Sequence, residues 1–207
     1  MLPTHCSISL QGRAKISPHM GNDRKPPYVL SFVAPSGTGK TTLLSQVIRL
    51  LAAKGFKVAA LKGTHHQIYL DKPGKDSYRF KEAGATAVGL LGPGASTLFL
   101  EPSDGGVGDE RKKVLEMVHW LSLYPFAPFD FILCEGFAHV PELPKLRVVR
   151  DEWPLTYFAE RGHVEDLVAI AWGKGEAPPD QIPEGVALLP LEAEAVASWL
   201  LDRRDVS

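Results

Sequence analysis

Eight residues, "APSGTGKT" at positions 34–41, combine the residue types and the spacing that hold the phosphates of a nucleotide. Gly37 and Gly39 let the backbone curl, so that consecutive N–H groups point into one concavity at the start of a helix. Lys40 stands where its ammonium reaches the β- and γ-phosphates, and the hydroxyl of Thr41 is placed to ligate Mg²⁺. The sequence therefore predicts a phosphate-binding loop made of Ser36, Gly37, Thr38, Gly39, Lys40 and Thr41.

The first position of this motif holds Ala34, where the general pattern has glycine. Alanine is the smallest residue with a Cβ, and this position ends a strand before the loop turns. Pro35 has no N–H to donate, but it precedes the donors that would contact phosphate. We therefore expect the loop to be functional. The alternative is a glycine-rich turn that only joins a strand to a helix.

A loop of this kind needs an acidic residue on a neighbouring strand, for the magnesium shell or for the attacking water. The segment "FDFILCEG" supplies one, because its apolar run delivers Glu135 at the carboxyl end of a buried strand. Gly136 then permits close approach of the backbone to a terminal phosphate. Asp130, at the other end of the strand, is a poorer candidate, and the alternative for Glu135 is a solvated loop carboxylate. We predict Lys40 and Glu135 as catalytic residues, and Thr41 and Glu135 as ligands of Mg²⁺.

A polar loop, residues 63–75, follows the second predicted strand and leaves the sheet at the same edge as the phosphate-binding loop. Candidate nucleotide-facing residues in and beside it are His65, His66, Asp71, Lys75 and Asp76. Adjacent histidines could ligate a metal, but side chains at i and i+1 diverge, and no cysteine stands near them. Phosphate contacts, or a switch that senses the γ-phosphate, fit the loop better.

The segment "PGKDS" within this region has a second interpretation, as a turn that leads into a helix. Asp76 or Ser77 is then the N-cap. The two interpretations are compatible, because a capped helix beside the site would hold Lys75 in place.

The elements that must place these residues alternate between apolar strands and amphipathic helices. The predicted strands are "YVLSFVA", "FKVAALK", "ATAVGLL", "STLFLEP", "FDFILCEG", residues 145–150 and residues 167–172. The predicted helices are residues 41–53, a short helix from about Asp76, residues 109–123 and residues 191–201. This alternation is typical of an α/β fold with a mostly parallel twisted sheet, helices on both faces and ligands at the carboxyl ends of the strands. We predict one nucleotide-binding domain, residues 28–203, after a flexible tail, residues 1–27.

Composition limits the classes of partner and the compartment. The 207 residues are 44% hydrophobic and 23% charged, as in ordinary globular proteins. The formal net charge of −1 gives no general attraction to nucleic acid or to an anionic membrane, and no apolar run is long enough for a membrane helix. The two cysteines, Cys6 and Cys134, argue against a disulfide framework and favour a reducing compartment. We therefore expect a cytoplasmic protein with no nucleic-acid partner and no membrane anchor.

Three segments of the chain, in this order, resemble the MobB family, the GTP-binding adaptor proteins of molybdopterin guanine dinucleotide biosynthesis. They are "APSGTGKTTLL", "THHQIYLDKPGKDSYRFKEAGA" and "FILCEGFAH…KLRVVRD". The resemblance covers roughly residues 28–172, and the histidine loop with "DKPGKDS" is far more specific than the phosphate-binding loop alone. A loop that begins with alanine is usual in that family, so Ala34 supports the resemblance.

The resemblance implies a P-loop NTPase-like fold, a homodimer, and Mg²⁺-dependent binding of GTP with weak hydrolysis. It also implies a MobA-like guanylyltransferase as partner, with molybdopterin or its guanine dinucleotide as a further ligand. The residues that match the family's motifs are Gly37, Thr38, Gly39, Lys40, Thr41 and Thr42, then His65, His66, Asp71, Pro73, Gly74, Lys75, Asp76 and Ser77, then Glu135 and Gly136. The preference for guanine rests on the resemblance alone, because the base-reading pattern [NT]-K-x-D is absent from the sequence.

Two positions depart from the family pattern. They are Gly63, where histidine is usual, and Ala138, where lysine commonly follows "EGF". A contact that those residues make in relatives is missing or replaced here. Two other functions share the phosphate-binding loop: an ATP-dependent small-molecule kinase and a metallochaperone GTPase. The sequence lacks an arginine-rich lid that would favour the kinase, and only His65 and His66 suggest the metallochaperone.

Overall fold

The computed structural model describes residues 25–64, 68, 72, 74–100, 110–124, 128–150, 166–173 and 182–206. The strands in these residues are β1 (Tyr28–Val33), β2 (Val58–Lys62), β3 (Ala87–Leu91), β4 (Ser96–Leu100), β5 (Phe131–Glu135), β6 (Lys145–Val149), β7 (Leu167–Trp172) and β8 (Ala187–Pro190). The helices are α1 (Lys40–Ala53), α2 (Asp76–Glu82), α3 (Glu110–Ser122) and α4 (Ala193–Val206).

Six of the strands form one sheet in the order β2-β5-β1-β6-β7-β8, and every neighbouring pair is parallel. In the register of this sheet, Glu135 lies beside Phe32 of β1 on one side and beside Lys62 of β2 on the other. The carboxyl ends of β1, β2 and β5 therefore meet at one edge, which is where an open parallel sheet binds ligands.

Helices cover both faces of this sheet. On one face, α1 and α4 pack on alternate strand residues such as Leu30, Phe32 and Leu133, all of which are fully buried. On the other face, Val114 of α3 packs in a second cluster with Ile132 and other residues of β5. The central strands are apolar on both sides because both sides are covered, as parallel sheets require.

Strands β3 and β4 form a separate antiparallel hairpin, outside the main sheet. The side chain of Val88 is buried, whereas several of the hairpin's leucines are exposed. Leu91 is 87% exposed and Leu98 is 57% exposed. Two strands alone bury too little surface to be stable in water, so this hairpin needs a further surface against it.

The predicted α/β fold, with a mostly parallel sheet and helices on both faces, is confirmed. Each strand and helix expected from the sequence is present near its predicted bounds. Within the described part of the chain, no helix has both the length and the hydropathy to cross a bilayer.

Three details of the elements differ from what the sequence suggested. Strand β8 (Ala187–Pro190) was not predicted, although it extends the main sheet beside β7. The closing helix begins at Ala193 and ends at Val206, later at both ends than predicted. The N-cap of α2 is Lys75, in extended conformation and without a side-chain cap, so Asp76 is the first helical residue. The "PGKDS" turn does lead into a helix, and its N-cap lies one residue before Asp76, the earlier of the two predicted caps.

Candidate nucleotide site

The phosphate-binding loop follows β1 directly and ends where α1 begins. Gly37 and Gly39 have φ angles of 79° and 94°, a region in which only glycine is unstrained. The hydroxyl of Thr38 donates a hydrogen bond of 2.8 Å to the carbonyl of Pro35, which closes the loop on itself. Gly39 is the N-cap of α1 and provides no side-chain cap, and the first turn of the helix carries no acidic residue. The positive end of this helix therefore remains available to an anion.

Lys40 folds back over this loop. Its ammonium donates to the carbonyl of Ala34 at 2.8 Å and to the carbonyl of Pro35 at 2.7 Å. Burial lowers the pKa of Lys40, and the nearby ammonium of Lys62 lowers it further, while the carboxylate of Glu135 opposes both. A lysine held against two carbonyl dipoles and partly withdrawn from water is a favourable partner for phosphate.

Glu135 joins the phosphate-binding loop to the neighbouring strand. Its Oε2 accepts a hydrogen bond of 2.8 Å from the hydroxyl of Thr41, and its Oε1 lies 3.2 Å from the ammonium of Lys62. The carboxylate is 13% exposed, so the solvated loop carboxylate considered from the sequence does not describe it. A hydroxyl and a carboxylate at hydrogen-bonding distance are oxygen donors of the type that Mg²⁺ prefers.

The turn after Glu135 is constrained on several sides. Gly136 has a φ of 97° and its N–H donates to the carbonyl of Phe32 at 3.0 Å. The hydroxyl of the buried Ser31 donates to the carbonyl of Gly136. Phe137 has a φ of 55°, a conformation that costs a non-glycine residue on the order of 1 kcal/mol. Two strands thus hold a strained turn beside the phosphate-binding loop.

The ring of Phe137 lies beside Gly63, one of the two positions that depart from the family pattern. A Cβ at Gly63 would lie 3.0 Å from Cε1 of this ring, which is closer than side chains normally pack. With the ring in this position, a side chain at position 63 would require it to move by a few tenths of an ångström. Ala138 follows the ring and is half-buried.

Arg150 lies against the phosphate-binding loop from the other neighbouring strand. It is the first residue after β6, and its Nε donates to the carbonyl of Thr38 at 3.2 Å. A Cβ built at Gly39 would lie 2.7 Å from Nη2 of Arg150, so the guanidinium covers the α-carbon of that glycine.

The structure brings together part of the predicted site. Lys40, Thr41 and Glu135 lie in one group. Asp130 lies at the opposite end of β5, where it accepts a hydrogen bond of 2.7 Å from the backbone N–H of Lys57, which fits its expected minor role.

The remaining predicted positions are less informative. Lys75 is exposed, and Asp76, which is 90% exposed, pairs with Arg79 of its own helix at 4.0 Å. Ser36 and Thr42 are exposed on the loop and the first turn of α1. The predictions for His65, His66, Asp71 and Pro73 lie outside the described residues. Among the residues that are described, no group of three or more His, Cys, Asp or Glu side chains forms a metal-binding cluster.

Sequence reasoning missed Lys62 and Arg150. Each stands at the carboxyl end of a strand that flanks β5 or β1, as the last residue of β2 and the first residue after β6. The signal was present in the sequence, as a single basic residue that closes an apolar run in "FKVAALK" and in "KLRVVR". Strand order was needed to read it, because only adjacency to β1 and β5 places these cations at the loop.

Comparison with known proteins gives consistent matches. The family model for molybdopterin guanine dinucleotide synthesis protein B matches residues 29–172. The molybdopterin-guanine dinucleotide biosynthesis adapter protein of Escherichia coli K12 is 38% identical over 123 residues, which are 59% of this chain and 66% of that protein. The adapter protein of Haemophilus influenzae is 32% identical over 124 residues, 60% of this chain and 64% of that protein. The match thus spans just under two thirds of the length of these relatives.

Two solved structures share the fold. A crystal structure of molybdopterin-guanine biosynthesis protein B has a TM-score of 0.58 and 22% identity, over 86% of this chain and 99% of that one. The MobB homologue from Bacillus stearothermophilus has a TM-score of 0.54 and 22% identity, over the same shares of each chain. At this identity the likeness concerns the arrangement of the strands and helices.

Proposed function

The chain belongs to the molybdopterin guanine dinucleotide synthesis protein B family, and on this premise we propose that it binds GTP with Mg²⁺ as an adaptor in the formation or delivery of molybdopterin guanine dinucleotide. The observation that carries the proposal is the group formed by Lys40, Thr41 and Glu135 at the start of α1. It combines a phosphate-binding lysine with two oxygen donors for a cation, which is the minimum that a magnesium nucleotide requires.

Charge supports the proposal. Three cations, Lys40, Lys62 and Arg150, and one carboxylate, Glu135, lie on or against the phosphate-binding loop. This local excess of two positive charges matches the charge of about −2 that a nucleoside triphosphate keeps when it carries one Mg²⁺. The whole chain has a net charge of −1, so any attraction for an anion at this edge of the sheet comes from these local groups and not from the charge of the whole chain.

We further propose weak hydrolysis of the nucleotide. Glu135 is the carboxylate placed to orient a water or to complete a magnesium shell. In the described structure both of its oxygens are engaged, one by Thr41 and the other by Lys62. A carboxylate with both oxygens engaged must give up one contact before it can orient a water, which fits slow turnover better than rapid catalysis.

The proposed partners are a MobA-like guanylyltransferase and a second copy of this chain, with molybdopterin or its guanine dinucleotide as a further ligand. The exposed hairpin of β3 and β4 supports the homodimer. Its leucines at positions 90, 91, 98 and 100 leave apolar surface in water, and its strand edges can pair with the same hairpin of another copy.

The proposal is tested by titrating the full-length protein with labelled GTP and ATP, with and without Mg²⁺, and by adding it to a MobA-like guanylyltransferase supplied with molybdopterin. We expect Mg²⁺-dependent binding of GTP in preference to ATP, and faster formation of the dinucleotide. Lys40→Ala should abolish binding, whereas Lys54→Ala, at the far end of α1, should bind as the wild type does. Preference for ATP with phosphate transfer to a metabolite would instead indicate a kinase.

A further inference from the structure

Arg150 contacts the phosphate-binding loop at a peptide group that the proposed function needs in one orientation. Its Nε donates to the carbonyl oxygen of Thr38, and that carbonyl belongs to the same peptide as the N–H of Gly39. In a planar trans peptide the C=O and the N–H point in opposite directions. A carbonyl held toward Arg150 therefore turns the N–H of Gly39 away from Arg150.

We propose that Arg150 is a positioning residue of the nucleotide site, which holds the Thr38–Gly39 peptide so that the N–H of Gly39 faces the phosphates. The inference rests on the proposed function, because it assumes that this loop binds a nucleotide. Arg150 acts through the backbone of the loop, and the donor that meets the phosphate is the amide of Gly39.

The peptide needs such a contact because of its neighbours. Thr38 stands between Gly37 and Gly39, which have φ angles of 79° and 94°. Glycine rotates about its backbone bonds with little steric cost, so the peptide that joins Thr38 to Gly39 is turned over more easily than one between two residues with side chains. The turned peptide would present the carbonyl oxygen of Thr38 to the phosphates, and the two would repel each other. A donor on the outer side of the loop disfavours that orientation.

The guanidinium also lies close to the α-carbon of the glycine. Any side chain at position 39 would place its Cβ 2.7 Å from Nη2 of Arg150. Glycine therefore serves two purposes, since it allows the positive φ and it leaves room for the guanidinium.

The backbone of Arg150 is itself fixed by β7. The N–H of Gly173, directly after β7, donates to the carbonyl of Val149 at 2.8 Å. A Cβ at Gly173 would lie 2.6 Å from the carbonyl oxygen of Arg150, so the two backbones touch. Three strands, β1, β6 and β7, thus contribute to the orientation of one peptide in the loop.

Two substitutions separate positioning from direct contact with phosphate. Arg150→Gln keeps an N–H donor at the same number of bonds from the backbone as Nε, but it removes the charge and the terminal nitrogens. Arg150→Leu removes the donor as well. If Arg150 acts by positioning the loop, the Arg150→Leu variant should bind GTP about tenfold more weakly than the wild type. That loss corresponds to one hydrogen bond to a charged group. The Arg150→Gln variant should keep most of the wild-type affinity for GTP.

The amide resonance of Gly39 gives the second measurement. In the wild type, GTP should move the proton of this amide downfield, since it becomes bonded to a phosphate oxygen. Arg150→Leu should lose most of that shift, and Arg150→Gln should keep it. Arg49→Ala, which removes an exposed arginine from α1, controls for the change in net charge and should behave as the wild type does.

Other results overturn the inference. If Arg150→Leu and Arg150→Gln weaken GTP binding equally and the shift of the Gly39 amide is unchanged, Arg150 contacts the phosphates itself. If both variants bind GTP as the wild type does, Arg150 has no role in the site. If the wild type binds no nucleotide at all, the proposed function fails separately. The positioning role is then tested by ¹⁵N relaxation of the Gly39 amide in the free protein. A lower order parameter in Arg150→Leu than in Arg150→Gln supports the inference, and equal order parameters refute it.

Discussion

Cys134 and Glu135 are adjacent in β5 and have opposite environments, which illustrates how a strand sorts its residues. Cys134 points into the cluster beneath α3 and is fully buried. Glu135 ends the strand and reaches Thr41 and Lys62 at the edge of the sheet. Burial raises the pKa of the Cys134 thiol to about 12, so the thiol stays neutral and unreactive in the folded protein.

This pKa predicts how stability depends on pH. The unfolded thiol ionises near pH 9 and the folded thiol near 12, so the folded state keeps the proton in the interval between them. The contribution is complete below pH 9, and above it the free energy of unfolding should fall by about 1.4 kcal/mol per pH unit. Urea unfolding at pH 8 and pH 10 measures the change in a Cys6→Ser background.

The control for this measurement is the additional substitution Cys134→Ala, which removes the buried thiol. The extra loss of stability between the two pH values should disappear in that variant. An equal loss with and without the thiol would assign the effect to other groups.

Glu135 makes a separate prediction about catalysis. Glu135→Gln keeps the size of the side chain and the hydrogen bond from Thr41, but it removes the charge that would bind Mg²⁺ or orient water. We expect nucleotide binding to persist with weaker dependence on Mg²⁺, and the slow hydrolysis to fall about 100-fold. Single-turnover hydrolysis of GTP measures this. Glu116→Gln, an exposed carboxylate on α3, is the matched control.

At the scale of single residues, the site residues that belong to a local motif were predicted from the sequence. The residues that reach the site only because their strands are neighbours in the sheet were missed. Lys40, Thr41 and Glu135 follow from local patterns, and the structure groups them. Arg150 makes its contact with Thr38 across 112 positions of sequence, so no local pattern could reveal it. Strand order is a tertiary property, and a motif records only what lies within a few residues of it.

Helix α1 begins without a side-chain cap, and this has opposite consequences for stability and for binding. Its N-cap, Gly39, provides no side-chain acceptor, and no acidic residue lies in its first turn. A carboxylate in that turn would stabilise the helix and would also compete with phosphate for the same N–H groups.

We therefore expect Thr42→Glu to raise the free energy of unfolding by about 0.3–1 kcal/mol while it weakens nucleotide binding. Thermal unfolding and a GTP titration measure the two effects. Gln46→Glu, one turn further along the same exposed face, is the control, because the effect of the helix dipole is confined to the first turn. A Thr42→Glu protein that binds GTP as tightly as the wild type would contradict this prediction.

Helices and strands with a clear pattern of hydrophobic residues were predictable from the sequence, and those without such a pattern were not. The strands β1 and β5 are apolar runs bounded by polar residues, and α1 has its buried leucines at helical spacing. Strand β8 has four residues and alternates between half-buried and exposed ones. Its sequence "ALLP" contains no polar residue that would show the alternation of a strand, and so short an apolar run cannot be assigned to a strand or a helix by its period alone.

At the scale of the whole molecule, the exposed hairpin predicts self-association. If two hairpins pack together, Leu91→Glu places a charge in the interface and should convert a dimer into a monomer. Light scattering coupled to size-exclusion chromatography gives the mass. Leu123→Glu alters a leucine that is 58% exposed outside the hairpin and should leave the dimer intact. A wild-type monomer, or a Leu91→Glu dimer, would contradict the proposed interface.

The strand order also bears on how the chain acquires its shape as it leaves the ribosome. Strand β1 pairs with β5 and β6, and Tyr28 lies beside Phe131, roughly a hundred residues later in the chain. Such distant pairing is slow to form, because the chain loses entropy in closing a long loop before the contacts between the strands can stabilise it. The nascent chain must therefore present an unpaired apolar β1 until Phe131–Glu135 and Lys145–Val149 have been synthesised. The phosphate-binding motif is among the first parts of the domain to be translated and among the last to be completed.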